Sequence, residues 1–362
     1  MLLTRFKHRP FARLIGCDLR ALAITATLAG ALALGGCASA PPAATSSAPG
    51  SPATMKFDRA IEDRILALDP ERITPDDVAN TLVKGPTPRI ILLHGGVYGV
   101  HLMMESFGEF LTGMGYPEIR IRHPGDARWS HSPYEDSARI AGFAAWAFEQ
   151  DGMPPMLVGH SQGGMQLLKV LRELDGQYTS DVAVWDPLTD SALPRTTIVD
   201  PLTGTSRPVR GLTISYASAA AVGGAALFLP NQWSMIGKVR LVPDTVVDFT
   251  GYSIVFDTFA WTNGISPGDE FRAAGTAHVR NVELPITYNH VVFPWSSDFP
   301  KDPEVRTWID AYTPADIGKP VPLEEQGRSV LWAADVWFSI RKHWCLEAQQ
   351  LIRTRRAIEG KS

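Results

Sequence analysis

The chain has 362 residues, 45% hydrophobic and 20% charged, an ordinary globular composition with length enough for a sizeable core. One large domain fits better than a row of small ones, and no repeat of fixed period is present, which excludes a solenoid or propeller. Five basic residues (Arg5, Lys7, Arg9, Arg13, Arg20) and one acidic residue (Asp18) precede Cys37, leaving 29 basic and 37 acidic side chains and a formal charge near −8. An acidic body lacks the Lys and Arg clusters that phosphates require, so nucleic acid is excluded as a partner.

Residues 1–36 read as an export signal: a basic stretch to Arg20, then apolar Ala21 to Leu34, too short to span a bilayer comfortably. The stretch ends in Leu34-Gly35-Gly36-Cys37, which resembles the bacterial lipobox, whose cysteine is acylated and becomes the new N-terminus. The resemblance implies a membrane anchor on Cys37 carrying three acyl chains, beyond the two signals that stable anchoring requires. Ala38, in the position where aspartate would favour retention at the inner membrane, implies the outer membrane. Residues 37–55 are a tether of Ala, Pro, Ser, Thr and Gly. With Cys17 removed and Cys37 lipidated, only Cys345 remains, read as a small buried hydrophobe.

From about residue 56 to 362 the pattern is that of an α/β domain with a doubly wound, mostly parallel sheet. Arg89 to Leu93 predicts a strand buried on both faces, Met103 to Met114 a helix, Ile119 to Arg122 a second strand, and Ser137 to Phe148 a helix. Pro155 to Val158 predicts a strand and Gly163 to Leu174 a helix. Residues 180–275 are less regular and read as a cap-like insertion. Within them Asp186 to Arg210 predicts turns, and Tyr216 to Pro230 core or near-core, with a lid over an apolar pocket as the alternative. From about Arg328 the chain predicts an amphipathic helix with Leu331, Trp332, Val336, Trp337 and Ile340 on one face. It either docks on the domain or touches a membrane surface.

The chemistry concentrates in Gly159-His160-Ser161-Gln162-Gly163, between a predicted strand and a predicted helix. A serine pushed out on so sharp a turn needs neighbours nearly without side chains two positions either way, which Gly159 and Gly163 supply; Gly164 lets the helix pack closely. In this context the sequence resembles the lipase and esterase branch of the α/β-hydrolase superfamily, with Ser161 as nucleophile. The resemblance also reaches Leu93-His94-Gly95-Gly96-Val97 upstream. It implies an oxyanion hole from the backbone N–H of Gln162 and of Gly96 or Val97, with His94 structural.

The same resemblance implies a base and an acid in the chain order Ser, Asp, His. His278, His290 and His343 follow the serine. His290, just beyond the strand-like run Val279 to Leu284, is read as the base, His278 as its rival, and His343 as a surface or packing residue. Asp257 ends the strand-like run Phe249 to Phe256 and is read as the acid, with Asp248, Asp244 and Asp186 as open alternatives.

The implied activity is hydrolysis of a carboxylic ester, a small-molecule or lipid ester, with no metal or organic cofactor. Acyl transfer or thioester cleavage would use the same parts, and a silent lipid- or peptide-binding lipoprotein is the non-enzymatic reading. The histidines are scattered singly rather than in a metal-binding cluster, and His123 and His131 read as part of a loop shaping the pocket mouth.

Overall fold

A computed structural model describes residues 52–97, 99–260, 270–319, 321, 323 and 329–360. The leader, Cys37 and the tether as far as Ser51 lie outside these residues. Six parallel strands form the central sheet: β1 (Ile90–Leu93), β2 (Ser130–His131), β3 (Met156–His160), β4 (Ile214–Ala220), β5 (Val246–Ile254) and β6 (His278–Leu284). Their spatial order is β6-β5-β4-β3-β1-β2.

Helices cover both faces of the sheet, which is why β1 is a continuous apolar run buried at all four positions, whereas β6, at the edge, carries His278, Arg280, Asn281 and Glu283. On one side pack α1 (Arg59–Ala67), α2 (Val100–Gly113), α5 (Pro303–Ala311) and α6 (Leu331–Glu359); on the other pack α3 (Ser137–Asp151) and α4 (Gln162–Leu174). Successive side chains alternate between the two cores: Ile90 and Leu92 enter the first, Ile91 and Leu93 the second. Local chemistry sets the helix ends. Asp136 caps α3 by accepting from Ala138 N (3.0 Å), and Gly152 stops it in the left-handed region.

The helix after β1 lies on one face and the helix before β3 on the other, so the strand order reverses between β1 and β3. The carboxyl ends of those two strands flank a topological switch point, where open α/β sheets place their ligands.

The C-terminal amphipathic helix docks on the sheet. Trp332, Trp337 and Trp344 of α6 are fully buried, and Arg356 holds α1 through Glu62 (2.8 Å) and Asp63 (2.7 Å). At its centre Asp335 accepts from Arg280 (2.7 and 3.0 Å), from Tyr312 (2.8 Å) and from Tyr252. Cys345 is buried and unpaired.

Several predicted elements differ. Residues 119–122 are not a strand: Glu118–Arg120 form a 3₁₀ turn after Pro117, with Ile119 exposed and only Ile121 buried. The second strand is instead the two-residue β2. Residues 180–275 also supply β4 and β5, a buried pair at the middle of the sheet. The predicted turns within Asp186 to Arg210 surround two short antiparallel ladders, 185–186 with 191–192 and 197–199 with 206–208.

His123 and His131 do not reach the cavity mouth. They are buried against each other and against Phe143, because β2 carries His131 into the sheet edge. No described helix is long and apolar enough to cross a membrane.

Candidate active site

Strand β3 runs straight into the turn at Ser161, which has φ 55° and ψ −121° and stands as N-cap of α4. Its N–H donates to the carbonyl of Ala220 (2.8 Å), so the turn is tied to the end of β4. The flanking glycines are sterically required. A Cβ on Gly159 would lie 2.6 Å from the Gly163 carbonyl oxygen, and one on Gly163 would lie 2.3 Å from that of Leu93. Two further residues at strand ends take positive φ, Ala221 (53°) after β4 and Phe256 (57°) after β5. Strain of this kind is held only where the surrounding fold over-determines it, and here it gathers at one rim of the sheet.

Three predicted side chains meet at that rim. Ser161 Oγ lies 2.8 Å from His290 Nε2, and His290 Nδ1 lies 2.6 Å from Asp257 Oδ2. A carboxylate only accepts, so Nδ1 carries the proton, Nε2 keeps its lone pair, and the serine hydroxyl donates to it. The other carboxylate oxygen, Oδ1, accepts from the N–H of Phe259 (2.9 Å) and Ala260 (3.0 Å). Burial pushes the Asp257 carboxyl up, but the hydrogen bond from His290, the positive charge of that ring when it is protonated, and these two N–H donors outweigh it and hold it below the usual carboxylate range.

The rival residues lie elsewhere. Asp248, early in β5, accepts from His278 Nδ1 (3.0 Å) and from the buried His343 Nε2 (2.9 Å). All three sit toward the amino ends of the strands, roughly 20 Å along β5 from the end that leads to Asp257, at about 3.3 Å per residue. Asp244 accepts from the N–H of Thr276 and Ala277, which ties the approach to β5 to the approach to β6, and Asp186 accepts from that of Leu188, which closes a local turn.

No protein-family model matches the chain, and no curated protein matches it significantly. The site therefore rests on its own geometry.

The serine opens into a cavity of about 290 Å³. Gly95, Gly96 and Val97 line one side with Gln162, and Ala225, Ala226, Leu229, Phe259 and Val291 line much of the rest. Gln162 is the first residue of α4, where backbone N–H groups have no partner within the helix, so its N–H is available to a developing negative charge. The Gln162 side chain lies on Gly96: a Cβ there would sit 1.6 Å from its Oε1. His94 is partly buried, its Nδ1 2.7 Å from the Gly95 carbonyl. Among the described residues no group of three or more His, Cys, Asp or Glu side chains is arranged to hold a metal ion.

One contributor was not read from the sequence. Tyr134 lines the cavity, and its hydroxyl donates to the Gly96 carbonyl (3.0 Å); a lone aromatic in a Pro- and Ser-rich loop carries no local signal. Ala221, Gly223, Ala225, Ala226 and Leu229 also line it, and they fall in the small apolar stretch Ala217 to Leu229, which the sequence offers as a wall for an acyl pocket.

Proposed function

We propose that the protein is a serine hydrolase of the α/β-hydrolase kind that cleaves a carboxylic ester through an acyl-enzyme. The observation that carries this reading is the unbroken series Asp257–His290–Ser161, which ends at a strained serine facing an apolar cavity. Ser161 Oγ attacks the ester carbonyl carbon while His290 Nε2 takes its proton, and the imidazolium formed is stabilised by Asp257. The oxyanion is received by the N–H groups of Gln162 and of Gly96 or Val97, each such donor contributing about 3 kcal/mol in comparable sites. Collapse expels the alcohol, which takes the proton from His290. A water then attacks the acyl-enzyme with His290 again as base, releasing the acid and Ser161.

The lipobox-like Leu34-Gly35-Gly36-Cys37 supports export and anchoring in the cell envelope, at the outer membrane, where lipid or small-molecule esters are the substrates at hand. The test is labelling of the full chain in detergent with a fluorescent fluorophosphonate, beside Ser161→Ala and His290→Ala. Labelling of the parent that disappears in both variants is the expected result. A folded parent that takes no label would overturn the hydrolase reading in favour of a silent lipid- or peptide-binding lipoprotein.

A further inference from the structure

His160 has no part in the steps above, yet it is among the most completely enclosed polar side chains at the site, 1% exposed at the last position of β3. Its Nε2 lies 2.7 Å from the backbone carbonyl oxygen of His290. A carbonyl only accepts, so Nε2 carries the hydrogen and Nδ1 the lone pair. That Nδ1 is buried with no hydrogen-bond partner and lies against Gly95, 3.5 Å from where a Cβ on that glycine would be. The ring stands edge-on to Phe293 (4.9 Å, 89°), and its centroid is 5.4 Å from that of the His290 ring.

Packing alone does not account for a histidine here. A buried nitrogen without a partner costs about 1–3 kcal/mol, which an apolar residue of similar size would avoid. What the imidazole supplies, and a hydrocarbon cannot, is the donor to His290.

The segment 285–298 that carries His290 is irregular, and its internal bonds are turns, such as Tyr288 N to Pro285 O (3.0 Å) and Phe293 N to Asn289 O (3.1 Å). Rings pack on its middle, Phe259 on His290 (5.2 Å) and Trp332 on Phe293 (5.1 Å), whereas other hydrogen bonds to it from outside the site reach its flanks. Tyr288 Oη accepts from Trp332 N (3.4 Å), and Ser106 Oγ accepts from the N–H of Ser296 and Ser297 (3.0 Å each). Of these main-chain hydrogen bonds, the one from His160 lands on the residue whose imidazole spans Ser161 and Asp257, and it comes from the residue next to the nucleophile.

We propose that His160 is a positioning residue, which holds the main chain of His290 so that the base imidazole stays in register with Ser161 and Asp257. This deepens the serine-hydrolase reading and rests on it. Burial, then the neighbouring His290, pushes the His160 ring down to about 3, so it stays neutral at working pH. A neutral ring neither competes as a base nor repels the imidazolium that forms on His290.

The experiment compares the full chain in detergent with His160→Leu, which fills the space without a donor, and His160→Gln, whose amide N–H reaches as imidazole Nε2 does. Turnover of p-nitrophenyl butyrate, the rate of fluorophosphonate labelling, thermal midpoints and the low-field proton NMR signal of the His290–Asp257 hydrogen bond are read together. His160→Leu is expected to lower kcat about 100-fold with KM within about threefold, the cost of a displacement near 1 Å in a catalytic group. The low-field signal is expected to move or vanish in His160→Leu.

His160→Gln is expected to recover kcat to within about tenfold of the parent and to restore the signal, at a thermal midpoint like that of His160→Leu. Should His160→Leu fail to fold, His160→Met takes its place in the same comparison. A folded donorless variant with the parent kcat, or one no worse than His160→Gln, overturns the proposal while the labelled parent keeps the hydrolase reading intact. A folded parent that neither labels nor turns over overturns the hydrolase reading, and the positioning role falls with it.

Discussion

Replacing Asp257 by Asn isolates the orienting acid at almost no steric cost. Oδ1 is held by two backbone N–H donors, Phe259 and Ala260, which accept no hydrogen and therefore fix the amide oxygen of Asn on that side. The new NH₂ group must then face His290 Nδ1, where Oδ2 stood at 2.6 Å. An amide donor there selects the opposite imidazole tautomer, with the lone pair on Nδ1 and the hydrogen on Nε2. Nε2, 2.8 Å from Ser161 Oγ, can no longer receive the serine proton. Tautomer inversion of this kind costs about 10⁴ in kcat, close to 5.4 kcal/mol at 1.36 kcal/mol per decade.

The assay is kcat and KM on p-nitrophenyl butyrate from pH 6 to 10, with the fluorophosphonate labelling rate alongside. Asp248→Asn serves as the control, because Asp248 pairs with His278 and His343 toward the other end of the strands. It is expected to keep kcat/KM within about threefold. A folded Asp257→Asn enzyme within tenfold of the parent, or an equal loss in Asp248→Asn, would refute the reasoning.

Three further outcomes follow from the same structure. Ser161→Gly removes activity but relieves the positive φ, so the variant is expected to be more stable than the parent by about 1 kcal/mol; a lower urea midpoint would count against strain at the turn. Asp335→Ala removes the counter-charge of Arg280, which keeps only the Thr250 hydroxyl, and the acceptor of the buried hydroxyls of Tyr252 and Tyr312, and is expected to cost about 3–5 kcal/mol in urea unfolding; a loss under about 1 kcal/mol would show the network to be dispensable. Burial pushes the Glu347 carboxyl up to about 7. Between the unfolded value near 4.3 and 7 the folded chain therefore holds a proton that the unfolded chain has released, and stability falls as pH rises through that window. Glu347→Gln should flatten this slope and raise stability at pH 8 by about 2–3 kcal/mol, measured as the unfolding midpoint at pH 5 and at pH 8.

What could be read in advance was local. Gly159 and Gly163 announce the turn because the steric demand is met within five residues, and Ile90 to Leu93 announce a doubly covered strand because all four side chains are apolar. Asp257 stood out among four carboxylates only by its place after a strand. Nothing short of the fold separates it from Asp248, since both belong to the same stretch and differ in which end of the sheet they reach. The two-residue strand at Ser130 is too short to show a period, while Ile119 to Ile121 imitates one in a turn. Ile214 to Ala220 is rich in Ala and Ser, so its place at the middle of the sheet has little hydrophobic signature. The pairing of His160 with the His290 carbonyl spans 130 residues and leaves no trace in either neighbourhood.

Ser161, Asp257 and His290 descend from β3, from the end of β5 and from the segment after β6, and β4 lies between β3 and β5. A refolding chain carries all three groups from the outset, but they can act on one another only once four neighbouring strands have settled side by side. Covalent capture of the serine is therefore a stopwatch. Pulses of fluorophosphonate during refolding would date the moment the strands align, while tryptophan emission, to which Trp332, Trp337 and Trp344 contribute three of ten indoles, would date the burial of the core and the long helix with it. A gap between the two clocks would order the steps by which this chain assembles.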